Sequence, residues 1–289
     1  MMIGLSTPVV VQLPRVSSAW ERDADIDDVA RIAQRADELG LAYLTCSEHV
    51  AVPVDDEAGR GTTYWDPLAT LAFLAARTSR IRLATSVVVL GYHHPLAIAK
   101  RYGTLDRISG GRLVLGVGVG SLAAEFALLD AKWDARGDRA DDAIRALRAS
   151  LSTNRPSYHG RYYDYDTVAV EPCALQPRVP IWVGGRSLRS LRRAVTLGDG
   201  WMPFGLRLAE ITKMLAAVQL PDNFDVVLAT GRPVDPCGAS ADTLRQLQRL
   251  RDVGATAITC VVAARSAAHY CEQLAALRAL ADDLGEESA

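Results

Sequence analysis

Ser109-Gly110-Gly111-Arg112-Leu113-Val114-Leu115-Gly116-Val117-Gly118-Val119-Gly120-Ser121 is the stretch from which the rest of the chain is read. A Gly-Gly turn opens a short, apolar, β-branched run and alternating glycines close it, the pattern of a buried parallel strand. Its end must meet something closely. Gly116 and Gly118, lacking a Cβ, admit a flat ring or a phosphate to the peptide plane, and equally they let two backbones pack.

Outward from this strand the chain alternates. Before it lie strand Met2–Ser6, a helix with apolar residues from Ile26 to Leu39 at helical spacing and a stop at Gly40, strand Leu41–Cys46, helix Pro67–Arg77, strand Ile81–Leu90 and helix Pro95–Arg107. After it come helix Asp138–Leu151, strand Ile181–Val183, helix Ser187–Leu197, a strand near Trp201, helix Leu206–Val218, strand Phe224–Ala229, helix Ala241–Val253, strand Ala257–Val262 and a last helix to about Leu284. Eight strand-helix units predict a closed (β/α)8 TIM barrel with insertions, one domain over residues 1–289, rather than a doubly wound sheet. Barrel active sites sit at the carboxyl ends of the strands, so loops 47–65, 121–137, 184–187 and 230–240 belong to the functional face. Tyr158–Tyr165, with aromatics alternating around His159-Gly160, reads as a β-hairpin. It follows a helix and precedes a strand, which places it on the opposite face, in a role of stability or subunit contact.

Composition narrows the function. A net charge of -2 from 32 basic and 34 acidic residues leaves no electrostatic footprint for nucleic acid. No apolar run reaches the length of a membrane span and no targeting pattern opens the chain, so a cytoplasmic protein is expected. The five cysteines show no Cys-x-x-Cys spacing and the five histidines no ligand spacing, so neither a disulfide framework nor a metal is expected.

Three strand ends carry candidate chemistry. Glu48 and His49 follow the second strand, where an imidazole can exchange a proton near neutral pH and a carboxylate can tune it; the plainer role is capping and solvation. Thr85 and Ser86 place hydroxyls in an apolar strand, either facing a ligand or satisfied by neighbouring backbone. His93 and His94 read as structural, with His94-Pro95 starting a helix. Gly184-Gly185-Arg186-Ser187 opens a helix directly after a strand and offers backbone N–H groups, a guanidinium and a hydroxyl to an anion such as phosphate, with Ser187 also a plain N-cap. Arg189, Arg192 and Arg193 fall on the solvated side of that helix. Gly116-x-Gly118-x-Gly120 approaches the dinucleotide fingerprint, but the third required glycine would be Ser121.

Taken together, Ser109 to Gly120, His94-Pro95 to Leu105-Asp106, Tyr158-His159-Gly160 with Tyr162-Tyr163, and Pro180 to Gly185 leading to Gly198-Asp199-Gly200-Trp201 resemble the bacterial luciferase-like monooxygenase family, most closely its actinobacterial members that use the deazaflavin coenzyme F420. The resemblance runs from the first strand to about Pro203. It implies a barrel holding a flavin or deazaflavin across the strand ends: Gly118, Val119 and Gly120 beside the ring, Thr85 and Ser86 facing it from a bulge that often has a non-proline cis peptide, Gly184 to Ser187 holding the phosphate, and Glu48 and His49 moving the proton, with Glu48 tuning His49. Ser121 stands where the family's sugar-phosphate dehydrogenases have an acid, which argues against that substrate class.

The expected function is therefore an oxidoreductase that transfers a hydride between coenzyme F420 and a small organic substrate. The alternatives are an FMN-dependent monooxygenase using O2 and a separate reductase partner, and a non-catalytic cofactor-binding protein. A homodimer is expected. Substrate choice belongs to loops 50–65, 122–136 and 231–239, where Trp65, Phe126 and Trp133 either wall the pocket or pack the loops.

Overall fold

The period-2 alternation of the central strand divides the core in two. Leu113, Leu115 and Val117 pack outward into the layer shared with the helices, while Val114, Gly116 and Gly118 take the inward positions. The computed structural model describes residues 1–14 and 16–286, so residues 15 and 287–289 of the expected domain lie outside the described residues. Eight parallel strands, β1 (Met2–Ser6), β2 (Tyr43–Cys46), β3 (Arg82–Thr85), β4 (Leu113–Gly118), β5 (Ile181–Gly184), β6 (Gly200–Met202), β7 (Asp225–Ala229) and β8 (Ala257–Cys260), pair in chain order. β8 pairs back onto β1, with Met2 opposite Ala257, which closes the barrel. Around it run α1 (Ile26–Glu38), α2 (Pro67–Arg77), α3 (Pro95–Ile108), α4 (Arg136–Ser150), α5 (Leu188–Leu197), α6 (Leu208–Leu215), α7 (Ser240–Asp252) and α8 (Ala267–Glu286). The fold is the (β/α)8 barrel that the strand-helix alternation predicts. Among the described residues no helix is long and apolar enough to cross a membrane.

Side chains fill the barrel below its mouth. Tyr43 and Trp182, both fully buried, meet edge to face with centroids 5.1 Å apart. Their polar atoms are satisfied: the Tyr43 hydroxyl bonds Thr259 Oγ1 at 2.9 Å and Trp182 Nε1 donates to Asp225 Oδ2 at 2.9 Å. The axis is therefore plugged at this level by packed and hydrogen-bonded side chains.

Buried carboxylates fix where strands start. Asp37, near the end of α1, accepts from Ser79 N, Ser79 Oγ, Arg80 N and Ile81 N and so sets the entry to β3. Asp106 on α3 accepts from Leu113 N at the start of β4 and from Leu175 N and Gln176 N on the approach to β5.

Residues 81–90 do not form one strand. The register steps from Ala84 opposite Val114 to Val88 opposite Val117, one residue more on the β3 side, and the surplus is a bulge at Ser86-Val87, where the peptide is cis. The chain rejoins β4 as the short strand Val88–Val89. At the bulge the Thr85 carbonyl turns onto β4, so that a Cβ on Gly116 would lie 1.8 Å from its oxygen.

The aromatic hairpin, Tyr158–His159 paired with Asp164–Tyr165, is placed differently from expectation. It lies along the flank of α4 rather than beneath the barrel, because Asp142 of that helix accepts from the Tyr158 hydroxyl and from Tyr162 N and Tyr163 N. Tyr163 reaches the ring of His94, the N-cap of α3, at 5.5 Å. Burial works against charge on Asp142, but these hydrogen bonds together outweigh it and hold its carboxyl below the usual range.

Candidate active site

Three loops meet over the mouth. The chain leaves β2 through Ser47, Glu48 and His49; the bulged segment after β3 runs to Tyr92 and His93; and the loop after β4 folds into a short helix, Ala123–Leu128, whose buried side carries Glu125 and Phe126. An antiparallel pair, Val11–Gln12 with Thr63–Tyr64, brings Tyr64 back beside His49, ring centroids 4.6 Å apart.

The pairing of Glu48 with His49 is corrected by the geometry. Successive residues leaving a strand diverge, and each finds its partner on a different loop. Glu48 turns inward, where Oε2 accepts from Val89 N at 2.6 Å and Oε1 lies 2.7 Å from His93 Nε2. His93, read from sequence as structural, thus belongs to the rim, and Glu48 locks the bulged segment to β2. His49 takes Glu125 instead, Nδ1 to Oε2 at 2.7 Å.

Glu125 is fully buried and acts only as an acceptor. Its Oε1 takes Val50 N at 2.6 Å and Ala51 N at 3.2 Å, and the nearby Tyr92 hydroxyl favours the charged carboxylate. Burial disfavours its charge, but the interactions with His49, Tyr92 and Ala51 prevail and keep its carboxyl below the usual range. An ionised acceptor on Nδ1 holds the proton of neutral His49 there and leaves Nε2 as the basic nitrogen. An acid is thus delivered to the rim from one helical turn beyond Ser121, where the sequence shows none. It lies 76 positions from His49, a separation that no local motif encodes.

The remaining sequence candidates sort themselves. Thr85 is fully buried and its hydroxyl donates to the Gly116 carbonyl at 2.7 Å, so the hydroxyl expected to face a ring serves β4. Ser86 is half-buried at the bulge. Val87 stands between Gly118 and Gly184; a Cβ at either would lie 2.6 or 2.9 Å from a Val87 methyl. One valine and glycine backbone therefore make a low apolar floor at the top of β4 and β5, a shape that accepts a flat ring system. Val119 and Gly120 are half-buried beside it, and Phe126 packs under Gly120 and against Tyr92 and Trp133, so Phe126 and Trp133 pack the loop. Trp65 packs against the outer core. Arg136, not singled out by sequence, stacks on Trp133 with its Nε 3.4 Å from the Gly120 carbonyl.

At the end of β5, Ser187 caps α5 by accepting from Ser190 N at 3.2 Å, which leaves its own hydroxyl proton free to donate. Gly185 has φ +139°, and a Cβ there would strike Ser190. Arg186 is exposed, enters no ion pair among the described residues and sits 6.0 Å above the ring of exposed Phe204. These donors and the first-turn N–H groups of α5 suit a phosphate. Arg193 departs from expectation: it is buried and pairs with Asp141 and the Gly137 carbonyl, tying α5 to α4.

The family model for luciferase-like monooxygenases matches residues 1–281. The chain belongs to that family. Luciferase-like members are oxidoreductases, and the chain is an enzyme of this class. The chain is similar to the F420-dependent hydroxymycolic acid dehydrogenase of Mycobacterium tuberculosis, 32% identical over 200 residues, covering 66% of this chain and 52% of that protein. Among solved structures it is similar to a monooxygenase from Streptomyces bottropensis, with a TM-score of 0.75, 23% identity and coverage of 96% and 98% of the two chains. It is also similar to the coenzyme F420-dependent tetrahydromethanopterin reductase of Methanopyrus kandleri, with a TM-score of 0.70, 14% identity and coverage of 96% and 97%. At these identities the two structures establish the luciferase-like barrel fold.

Proposed function

We propose that this luciferase-like protein is an F420-dependent oxidoreductase that exchanges a hydride with a hydroxyl- or carbonyl-bearing small molecule. The observation that carries the reading is His49 held by buried Glu125 at the rim of an apolar, glycine-floored mouth. The deazaflavin, when bound, supplies or accepts the hydride. Val87 and the backbone around Gly118, Val119, Gly120 and Gly184 would support its ring, and Gly185, Arg186 and Ser187 its phosphate. His49 Nε2 takes the proton from a substrate hydroxyl as hydride leaves carbon, or returns it to the oxygen in the reverse direction, and Glu125 stabilises the imidazolium in between. Glu48 and His93 keep the bulged segment in place. The dehydrogenase relative in Mycobacterium tuberculosis supports the cofactor and the reaction class.

A second reading, an FMN monooxygenase supplied by a separate reductase, is favoured by the likeness to the Streptomyces monooxygenase. An oxygen electrode separates the two during turnover. The hydride-transfer account expects no oxygen uptake coupled to product, and stoichiometric uptake contradicts it.

A further inference from the structure

Next to the mouth, the carboxyl ends of β6 and β7 open into a cavity of about 740 Å³ between α6 and α7. Its lining includes Arg207, Arg232, Arg245 and Arg249, with Asp242 and a floor that includes Leu250. Arg207 pairs with Glu210 at 3.1 Å and Arg245 pairs with Asp242. Arg232 and Arg249 enter no ion pair among the described residues, so four guanidinium groups face two carboxylates and the groove keeps an excess of positive charge. Arg245 and Arg249 are four residues apart on α7 and so present their forks along one face, about 5–6 Å apart at Cβ. That spacing suits successive carboxylates or phosphates of one chain, each taken by two parallel N–H bonds.

The loop after β6 links the groove to the proposed phosphate seat. Arg186 lies over Phe204, and Leu206 and Arg207, two and three residues further along the same loop, begin the lining of the groove. We propose that this groove binds an oligoanionic chain that runs on from the anion held at residues 184–187. This rests on the F420 reading for one of two sources. Coenzyme F420 continues past its phosphate into a chain of glutamates, whereas FMN ends at the phosphate; the other source is a separate polyanion. In the first case the groove is a specificity element for the deazaflavin over FMN.

The test is binding, followed by fluorescence, of F420 carrying several glutamates and of the form that ends before the first glutamate, to the wild-type chain and to the double variant R232E/R249E. Both sites are exposed, so the fold should be kept, and circular dichroism checks it. The glutamylated form should bind about tenfold more tightly than the truncated one. This advantage should vanish in the variant and shrink at about 500 mM salt, while the truncated form binds both proteins alike. Thermal unfolding with tripolyphosphate supplies the second arm. A rise in Tm for wild type that the variant lacks, without any effect of tail length, assigns the groove to a separate polyanion. The same rise with no deazaflavin binding at all keeps the groove and removes the F420 reading. Equal affinity for both coenzyme forms together with no tripolyphosphate effect overturns the proposal.

Discussion

His49→Ala should lower turnover about a hundredfold or more while changing cofactor affinity less than about twofold. Nδ1 is taken by Glu125 at 2.7 Å, so the only nitrogen able to exchange a proton with substrate is Nε2, and alanine removes it without touching the glycine floor or the phosphate seat. Glu125→Gln separates positioning from bulk. Two N–H groups, of Val50 and Ala51, converge on Oε1, so the amide must keep its oxygen there and turn its NH2 toward His49. That donor obliges Nδ1 to accept, which moves the ring proton to Nε2, the wrong tautomer for a base. Nitrogen NMR of His49 should show the exchange, and turnover should fall about as far as in His49→Ala with KM little changed; unaltered tautomer and rate contradict the role. The same variant reports on pH. The folded carboxyl of Glu125 is held below its unfolded value, so the stability it contributes is full above about pH 4.3 and is lost as pH falls through the lower folded value. The stability gap between Glu125→Gln and wild type should therefore be widest near neutrality and close in acid.

Gly116→Ala should cost about 3 kcal/mol or more, enough to lower Tm by several degrees or to prevent folding. Its Cβ would lie 1.8 Å from the Thr85 carbonyl oxygen, a backbone atom fixed on one side by the Thr85 hydroxyl bond to Gly116 and on the other by pairing of Val88 and Val89 with β4. Gly110→Ala is the matched control. That glycine has φ +71° but nothing within 4 Å of a Cβ, so only the left-handed conformation is penalised, by about 1 kcal/mol. Urea unfolding measures both. Equal losses would mean that close approach at the bulge is not what requires glycine in β4.

What the sequence made legible is what local pattern encodes. Strand-helix alternation and the glycine-closed run of β4 announced the barrel, and Gly184 to Ser187 read as a strand running into a capped helix, because each depends on neighbours within a few residues. The bulge at Ser86-Val87 is what the family resemblance implies, whereas the hydroxyls of Thr85 and Ser86 in an otherwise apolar run do not by themselves encode it, since the extra residue shows only in the register against β4. His49 and Glu48 were visible as candidates at a strand end, but their partners were not. Glu125 and His93 reach them from loops 76 and 45 positions away, through contacts that only barrel closure creates. Arg193 shows the same limit: helical spacing put it outward, and Asp141 on α4 made its burial affordable. Four arginines drawn from two loops and α7 have no common spacing either, which is why the groove beside the mouth is a finding of the fold alone.

Titration of the purified chain with oxidised coenzyme F420 and with FMN, followed by fluorescence or heat, tests the central claim most directly. Saturable binding of the deazaflavin with at least about tenfold preference over FMN is the predicted result. Preference for FMN, or binding of neither, contradicts it.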